Sequence, residues 1–297
     1  MGVVTQPDRP AGRGQKVGGT PVKRAAEARG LRVLTPEKLK PFVEDAWALG
    51  AEAFVVASYG KIVPQALLDA VPIAFNVHPS LLPLYRGATP LQSAIRDGRT
   101  ETGVTIIAMD AGMDTGDVLL QERTAIGATE TYGELHDRLA RRGAEMALAA
   151  VDRYANGTLT RTAQAVVAQQ LGIGDGEIER TRTRPLGKDD LLIAGDRTAK
   201  QLVDLVRSLA PSPGARTREG FFLYGRAKIL KAHVAYDGPP VPASHADPGR
   251  IIAVDGNLWI EATDGLVAVD ELVMPGGKPV TAEEFRNGNR DLTVPAR

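Results

Sequence analysis

Cysteine is absent from the 297-residue chain. Disulfides, thiolate metal sites and a cysteine nucleophile are excluded together, which fits a reducing compartment. The four histidines (His78, His136, His233, His245) show no helical ligand spacing, so no metal site is expected. No apolar run approaches the roughly 18 residues that a spanning helix needs, so no membrane partner is expected. Met1-Gly2-Val3-Val4-Thr5 has no basic region ahead of an apolar stretch and does not read as a signal peptide. The expectation is a cytoplasmic protein. A G-x-S-x-G elbow is missing, which leaves a serine hydrolase unsupported. Gly172-Ile173-Gly174-Asp175-Gly176 lacks dinucleotide-fingerprint spacing, and Gly12-Arg13-Gly14-Gln15-Lys16 lacks the Gly-Lys-Ser/Thr of a phosphate-binding loop.

What is present is an ordinary globular composition, 43% hydrophobic and 24% charged. The length suits two domains. Formal net charge is zero, but residues 1–40 carry nine Lys/Arg against three acids, and residues 180–231 carry twelve against five. Two basic regions in a neutral chain suit a polyanionic partner such as RNA; a solvated surface of scattered charge is the plainer explanation.

From residue 38 to 127 the chain alternates as a parallel α/β domain does. Leu39–Leu49 has helical spacing, Ala53–Ala57 reads as a buried strand, Pro64–Ala70 as a short helix and Ile73–Val77 as the next strand. Thr89 is expected to cap a helix with Pro90 at its first position and Gly98 as its stop. Strands at Val104–Met109 and Asp117–Arg123 follow, then a long amphipathic helix from about Thr131 to Tyr154, in which His136 reads as a surface residue. Beyond Asn156-Gly157 the pattern decays. A helix over Arg197–Leu209 is followed by strands at Gly220–Tyr224, Ala227–Ala235, Gly249–Val254, Leu258–Thr263 and Leu266–Leu272, spaced as in a small barrel. The expected division is 1–172, a linker over 173–190, and 191–297.

Asn76 and His78 stand two apart at the carboxyl end of a predicted parallel strand, where open α/β sheets place their ligands, and both point one way. An amide donor beside an imidazole is what carbonyl chemistry needs, one to hold an oxyanion and one to move a proton. Asp114, in Met109-Asp110-Ala111-Gly112-Met113-Asp114-Thr115-Gly116, follows the next strand, and its glycines allow the loop to bring a carboxylate to His78. Taken singly, His78 fits a backbone-bonded strand-end histidine and Asp114 a turn residue. Ser80-Leu81-Leu82-Pro83-Leu84-Tyr85-Arg86-Gly87 is a stiff apolar loop that suits a flat heterocycle or mere packing. Thr5-Gln6-Pro7-Asp8-Arg9-Pro10-Ala11-Gly12-Arg13-Gly14 is a long basic loop, and Arg9, Arg13 and Lys16 would suit phosphate contacts.

The order Asn76-Val77-His78-Pro79-Ser80-Leu81-Leu82-Pro83, then Tyr85-Arg86-Gly87, then Asp114-Thr115-Gly116-Asp117, resembles the folate-dependent formyltransferases of the glycinamide ribonucleotide transformylase type. The basic loop is similar to that of the branch of the family that acts on methionyl-tRNA. The resemblance implies an open, mostly parallel Rossmann-like α/β domain followed by a small OB-like β-barrel that binds tRNA. It implies 10-formyltetrahydrofolate as donor and the α-amine of initiator methionyl-tRNA as acceptor, with no DNA partner. It makes Asn76, His78 and Asp114 the catalytic trio, puts Ser80, Leu81, Leu82 and Pro83 against the folate, and puts Arg13 and Lys16 on the tRNA. A basic barrel face (Arg216, Arg218, Arg226, Lys228, Lys231) would meet the tRNA backbone. The alternatives are an acceptor such as an amino sugar nucleotide, or a catalytically weak RNA-binding relative. The chain departs from the family in two ways. The basic loop begins at Thr5, where the family has a preceding strand and helix, and so a sheet lacking that strand is expected. Ile193-Ala194-Gly195 and Pro211-Ser212-Pro213 stand where the family has Ile-Asp-Trp and Pro-Trp-Pro.

Overall fold

The computed structural model describes residues 1–11, 16–48, 50–194, 196–217, 226–235, 249–254 and 257–289. Arg13, Arg218 and the strand expected over residues 220–224 lie outside them. The chain begins β1 (Gly2–Val4), β2 (Arg9–Ala11), β3 (Lys16–Gly18), α1 (Pro21–Glu27), β4 (Arg32–Leu34), α2 (Val43–Ala48), β5 (Ala53–Val56), α3 (Gln65–Leu68) and β6 (Ile73–His78). It continues through α4 (Pro90–Arg96), β7 (Glu101–Ala108), β8 (Val118–Ala125), α5 (Tyr132–Ala155), α6 (Gln164–Leu171) and α7 (Asp175–Arg180). The last part holds α8 (Ala199–Leu209), β9 (Ala215–Arg216), β10 (Lys228–Ala235), β11 (Ile251–Val254), β12 (Asn257–Glu261), β13 (Leu266–Val273), β14 (Pro279–Thr281) and α9 (Ala282–Asn287). Two compact units result, the first made of Met1–His78, Val104–Glu122 and Arg142–Gly174, the second of the remaining segments. Among the described residues no helix is long and apolar enough to cross a membrane.

The first unit is built on a sheet ordered β5-β6-β7-β8. β5 and β6 run parallel, with Val56 opposite Asn76. β6 and β7 run antiparallel, with His78 opposite Thr105. β1 and β4 form a separate parallel pair, and among the described residues no ladder joins that pair to the larger sheet. The expected open α/β arrangement is therefore present but mixed, with parallel pairs at β1–β4 and β5–β6 and an antiparallel step at β7. Alternation along β6 decides what the sheet presents on each face. Phe75 is fully buried, with its ring edge-on to Tyr154 of α5 at 6.1 Å. Val77 lies under the same helix, so close that a Cβ on Gly143 would come within 2.8 Å of Val77 Cγ1. Ala74, Asn76 and His78, being out of phase with those two, face the other side.

In the second unit an antiparallel sheet is ordered β11-β12-β13-β10-β9, with β14 on β13. α8 covers it, placing Leu202, Leu205, Val206 and Leu209 at helical spacing against Ile229, Ile260, Val267 and Leu272. A Thr198–Gln201 capping box starts α8. This is the β-rich unit that the turn spacing predicts.

Two local expectations are corrected. Residues 173–190, which have a linker's composition, contain α7 and are tied down by the Glu177–Arg99 ion pair at 2.7 Å and by Thr183 N donating to Arg86 O at 2.8 Å. Thr89 precedes α4 but its side chain does not cap it. Its hydroxyl donates to Arg184 O at 3.0 Å, a tertiary bond that outcompetes the local one.

Phe75→Ala should lower unfolding stability by about 3–5 kcal/mol, since it empties a fully enclosed ring site. Urea denaturation reads this directly, and a loss below about 1 kcal/mol would contradict the packing described for β6 and α5.

Candidate active site

Asn76 is the penultimate even-phase residue of β6, and His78 ends the strand. Asn76 is fixed in backbone by the ladders to β5 and β7, and His78 by the ladder to β7. His78 is only 4% exposed. Directly across the ladder from it lies Thr105, fully buried, whose hydroxyl accepts from Gln121 Nε2 at 2.9 Å. Position 105 shares a face with its ladder partner, so a neutral polar layer lies beside the imidazole rather than a second charge.

Asp114 arrives on the loop between β7 and β8. Asn76 Nδ2 donates to Asp114 Oδ1 at 3.2 Å, and His78 Nδ1 stands 3.7 Å from the same oxygen. The first contact is a hydrogen bond. The second is longer than one.

The loop's own chemistry explains how it reaches that place. Asp110 accepts from Gly112 N at 3.0 Å and from the Thr115 hydroxyl at 2.8 Å, closing a tight turn. Asp114 itself has φ +56°, a left-handed conformation that a non-glycine residue adopts at a cost. Gly116 passes so near β7 that a Cβ there would collide with Ala108 O. The sequence trio Asn76, His78 and Asp114 is thus brought together by two strand-end residues and one constrained loop.

The formyl transferase profile matches residues 1–151, and the profile of the formyl transferase C-terminal domain matches residues 185–290. The chain belongs to the formyl transferase family. A methionyl-tRNA formyltransferase of Symbiobacterium thermophilum is 41% identical over 97% of this chain and 84% of its own length. One of Ectopseudomonas mendocina is 39% identical over 99% of this chain and 88% of its own length. Among solved structures, the N-formyltransferase from Helicobacter canadensis, in complex with folinic acid and dTDP-3-aminofucose, shares the fold with a TM-score of 0.63 at 18% identity. It matches over 89% of this chain and 86% of its own. HypX from Aquifex aeolicus, in complex with tetrahydrofolic acid, has a TM-score of 0.61 at 16% identity, covering 88% of this chain and 43% of that one.

The remaining family-motif residues lie as follows. Ser80 and Leu82 are fully enclosed and Pro83 is buried, while Leu81 is half-buried. Ser80 Oγ donates to Leu84 O at 2.7 Å, which stiffens the loop from within. Tyr85 then takes φ +59°, with its hydroxyl donating to Asp97 at 2.9 Å and accepting from Arg99 Nε at 3.0 Å. Burial first, and Asp97 beside it, push the Tyr85 phenol well above its usual pKa, so it stays a protonated donor. Lys16 opens β3, which pairs antiparallel with β2. His136 is exposed on α5, as its place on the polar face predicts. Among the described residues no group of three or more His, Asp or Glu side chains is arranged to hold a metal ion.

Sequence reading missed the support around the trio. Thr105 and Gln121 lie in strands that read only as hydrophobic alternation. Gln164 begins α6, a helix the weak periodicity after Asn156 does not reveal, yet it donates to Asp114 O and Gly116 O, both at 2.8 Å. A buried glutamine at a helix start has no sequence signature of its own.

Gly116→Ala should displace the Asp114 loop and destabilise the protein by about 1–3 kcal/mol, the usual range for forced overpacking. Unfolding midpoints check the stability change, and a crystal structure of the variant with Asp114 still on Asn76 would contradict the close approach described.

Proposed function

We propose that this chain transfers the formyl group of 10-formyltetrahydrofolate to the α-amine of initiator methionyl-tRNA. The observation that carries the reading is the 41% and 39% identity, over 97% and 99% of this chain, to methionyl-tRNA formyltransferases, together with the convergence of Asn76, His78 and Asp114.

The chemistry follows from those three groups. The amine nitrogen attacks the formyl carbon, forming a C–N bond and placing negative charge on the formyl oxygen. The Asn76 amide has two N–H donors. One already meets Asp114, and the other is available for the oxyanion. The carbon–N10 bond of the folate then breaks. The proton lost by the amine is carried by His78 to N10, with Asp114 orienting the imidazole and balancing its charge while protonated. Formylated amine and tetrahydrofolate leave, and no other reactant is consumed.

We place the folate against the Ser80–Pro83 loop, next in the chain after His78, with the half-buried Leu81 as its accessible side chain and the enclosed Ser80, Leu82 and Pro83 keeping the loop stiff. Arg13 and Lys16 of the basic loop are assigned to the tRNA on the likeness of that loop's sequence to the methionyl-tRNA formyltransferases, and Lys16 opens β3 of the β2–β3 hairpin. Its base is fixed by the Thr5–Thr20 hydroxyl bond at 2.7 Å and the Asp8–Lys23 ion pair at 2.8 Å. In the second unit Lys228 lies directly opposite Arg216 on neighbouring strands. Like charges so paired repel, and a phosphate backbone relieves that repulsion. Arg226 and Lys231 are exposed nearby in sequence and extend the basic surface. The partners are the tRNA and the folate donor, with neither DNA nor a membrane, and the working place is the cytoplasm. We assign 1–172 to catalysis and 191–297 to tRNA binding, joined by residues 173–190 as a folded connection rather than a free linker.

Incubation with 10-formyltetrahydrofolate and charged initiator tRNA should yield formyl-methionine; formylation of a small amine alone would overturn the acceptor. His78→Ala should lower the transfer rate by about 100- to 10,000-fold, the range for loss of a general acid–base. Asn76→Ala should lower it by about 100- to 1,000-fold, the range for loss of an oxyanion donor. Circular dichroism should show both variants folded. Near-normal turnover by either would remove that residue from its role.

A further inference from the structure

Gln164 is the first residue of α6, a position where a long polar side chain ordinarily reaches water. Here it is only 5% exposed. Burying a primary amide is unfavourable unless its donors are satisfied. Those of Gln164 are used on one short stretch of backbone, Nε2 donating to Asp114 O and to Gly116 O, both at 2.8 Å. The residues preceding α6 are paired with the start of β8, where the loop ends, with Val118 N donating to Thr162 O at 2.8 Å and Thr162 N to Val118 O at 2.9 Å. α6 therefore addresses the Asp114 loop at the level of its backbone. Asp110 holds the other end of the turn through Gly112 N and Thr115 Oγ1.

What this arrangement fixes is Asp114's unfavourable backbone. At φ +56° a non-glycine residue relaxes unless its surroundings prevent it. Relaxation would rotate the Asp114 side chain away from Asn76 and His78, since the Cα–Cβ direction turns with φ. Gln164 is well suited to resist it because its two N–H groups diverge from one nitrogen and meet carbonyls two residues apart. Glutamate at the same length would put acceptors against acceptors. Asparagine, one methylene shorter, would not span the distance.

We propose that Gln164 is a positioning residue of the formyl-transfer site, acting through Asp114 by holding the carbonyl oxygens of Asp114 and Gly116. The inference rests on the formyl-transfer reading for its effect on turnover, but not for its effect on Asp114.

The test uses Gln164→Met, which keeps length and apolar bulk and removes both donors, and Gln164→Glu as a second variant of the same length. Full-length proteins are assayed with 10-formyltetrahydrofolate and charged initiator tRNA, and the His78 imidazole resonances are followed by NMR beside those of Asp114→Asn. Either Gln164 variant is expected to lower kcat by about 10- to 100-fold, the effect of a small misplacement of a catalytic group. KM for both substrates should stay within about twofold, because ground-state binding is untouched. The His78 resonances should move toward their positions in Asp114→Asn. A further loss on adding Gln164→Met to Asp114→Asn should be small, since a residue acting through Asp114 has nothing left to position. Wild-type kcat and unchanged His78 resonances in the Gln164 variants would overturn the proposal. So would a fall in kcat with unchanged His78 resonances, which assigns Gln164 a purely structural role. If the wild-type protein transfers no formyl group, the functional reading fails, and the NMR comparison still decides whether Gln164 holds Asp114.

Discussion

A single carboxylate oxygen, Asp114 Oδ1, stands 3.2 Å from the Asn76 amide and 3.7 Å from the His78 imidazole. The rest of the site is organised to deliver it. The two partners come from a strand whose period fixes them on one face, so they need no device of their own. The carboxylate comes from a loop and needs several. Asp110 closes the turn, Gly116 permits the close pass over Ala108 O, and Gln164 holds the backbone at a left-handed residue. Each device compensates for the low intrinsic preference of that loop for the conformation it adopts.

The same division explains why the packing behind β6 matters to chemistry in front of it. Phe75 and Val77 are locked under α5, the first by edge-on contact with Tyr154 and the second beneath Gly143, where a larger residue would have to push the helix away. With those two fixed, the strand cannot slip by one residue without turning Asn76 and His78 to the wrong face. A core of apolar contacts thereby sets the orientation of two polar groups it never touches. The antiparallel neighbour β7 adds a second constraint, because it pairs with His78 along the ladder and places buried, uncharged Thr105 opposite it.

Much of this was legible in the sequence, and the reason is periodicity. Ile73–Val77, Val104–Met109 and the long helix from about Thr131 announce themselves by spacing, and the expected elements coincide with β6, β7 and α5 to within a few residues. Asn76 and His78 were visible because a strand end carries its chemistry in a fixed phase. Asp114 was visible only as a carboxylate among glycines, and its left-handed backbone was not. Tertiary bonds were hidden altogether. Thr89 has the sequence position of a helix cap, yet it spends its hydroxyl on Arg184 O, 95 residues away. Residues 173–190 have a linker's composition, but Glu177 and Thr183 bind Arg99 and Arg86. Neither local propensity nor periodicity carries such pairings, because they are properties of the folded chain.

The count of donors in the site bears on how the trio divides its labour. Asp114 in its charged form only accepts, whereas the Asn76 nitrogen carries two hydrogens and His78 carries one or two. Bonding to Asp114 therefore orients the Asn76 amide and still leaves one N–H outside that bond, directed by the first. An aspartate in place of Asn76 would oppose a second carboxylate to the first, and a leucine would keep the strand but leave no donor for an oxyanion. In the proposed transfer the residue type at position 76 is thus dictated twice, by the carboxylate that it meets and by the charge that it would receive. That double demand is what couples a strand-end amide to a loop 38 residues further along the chain.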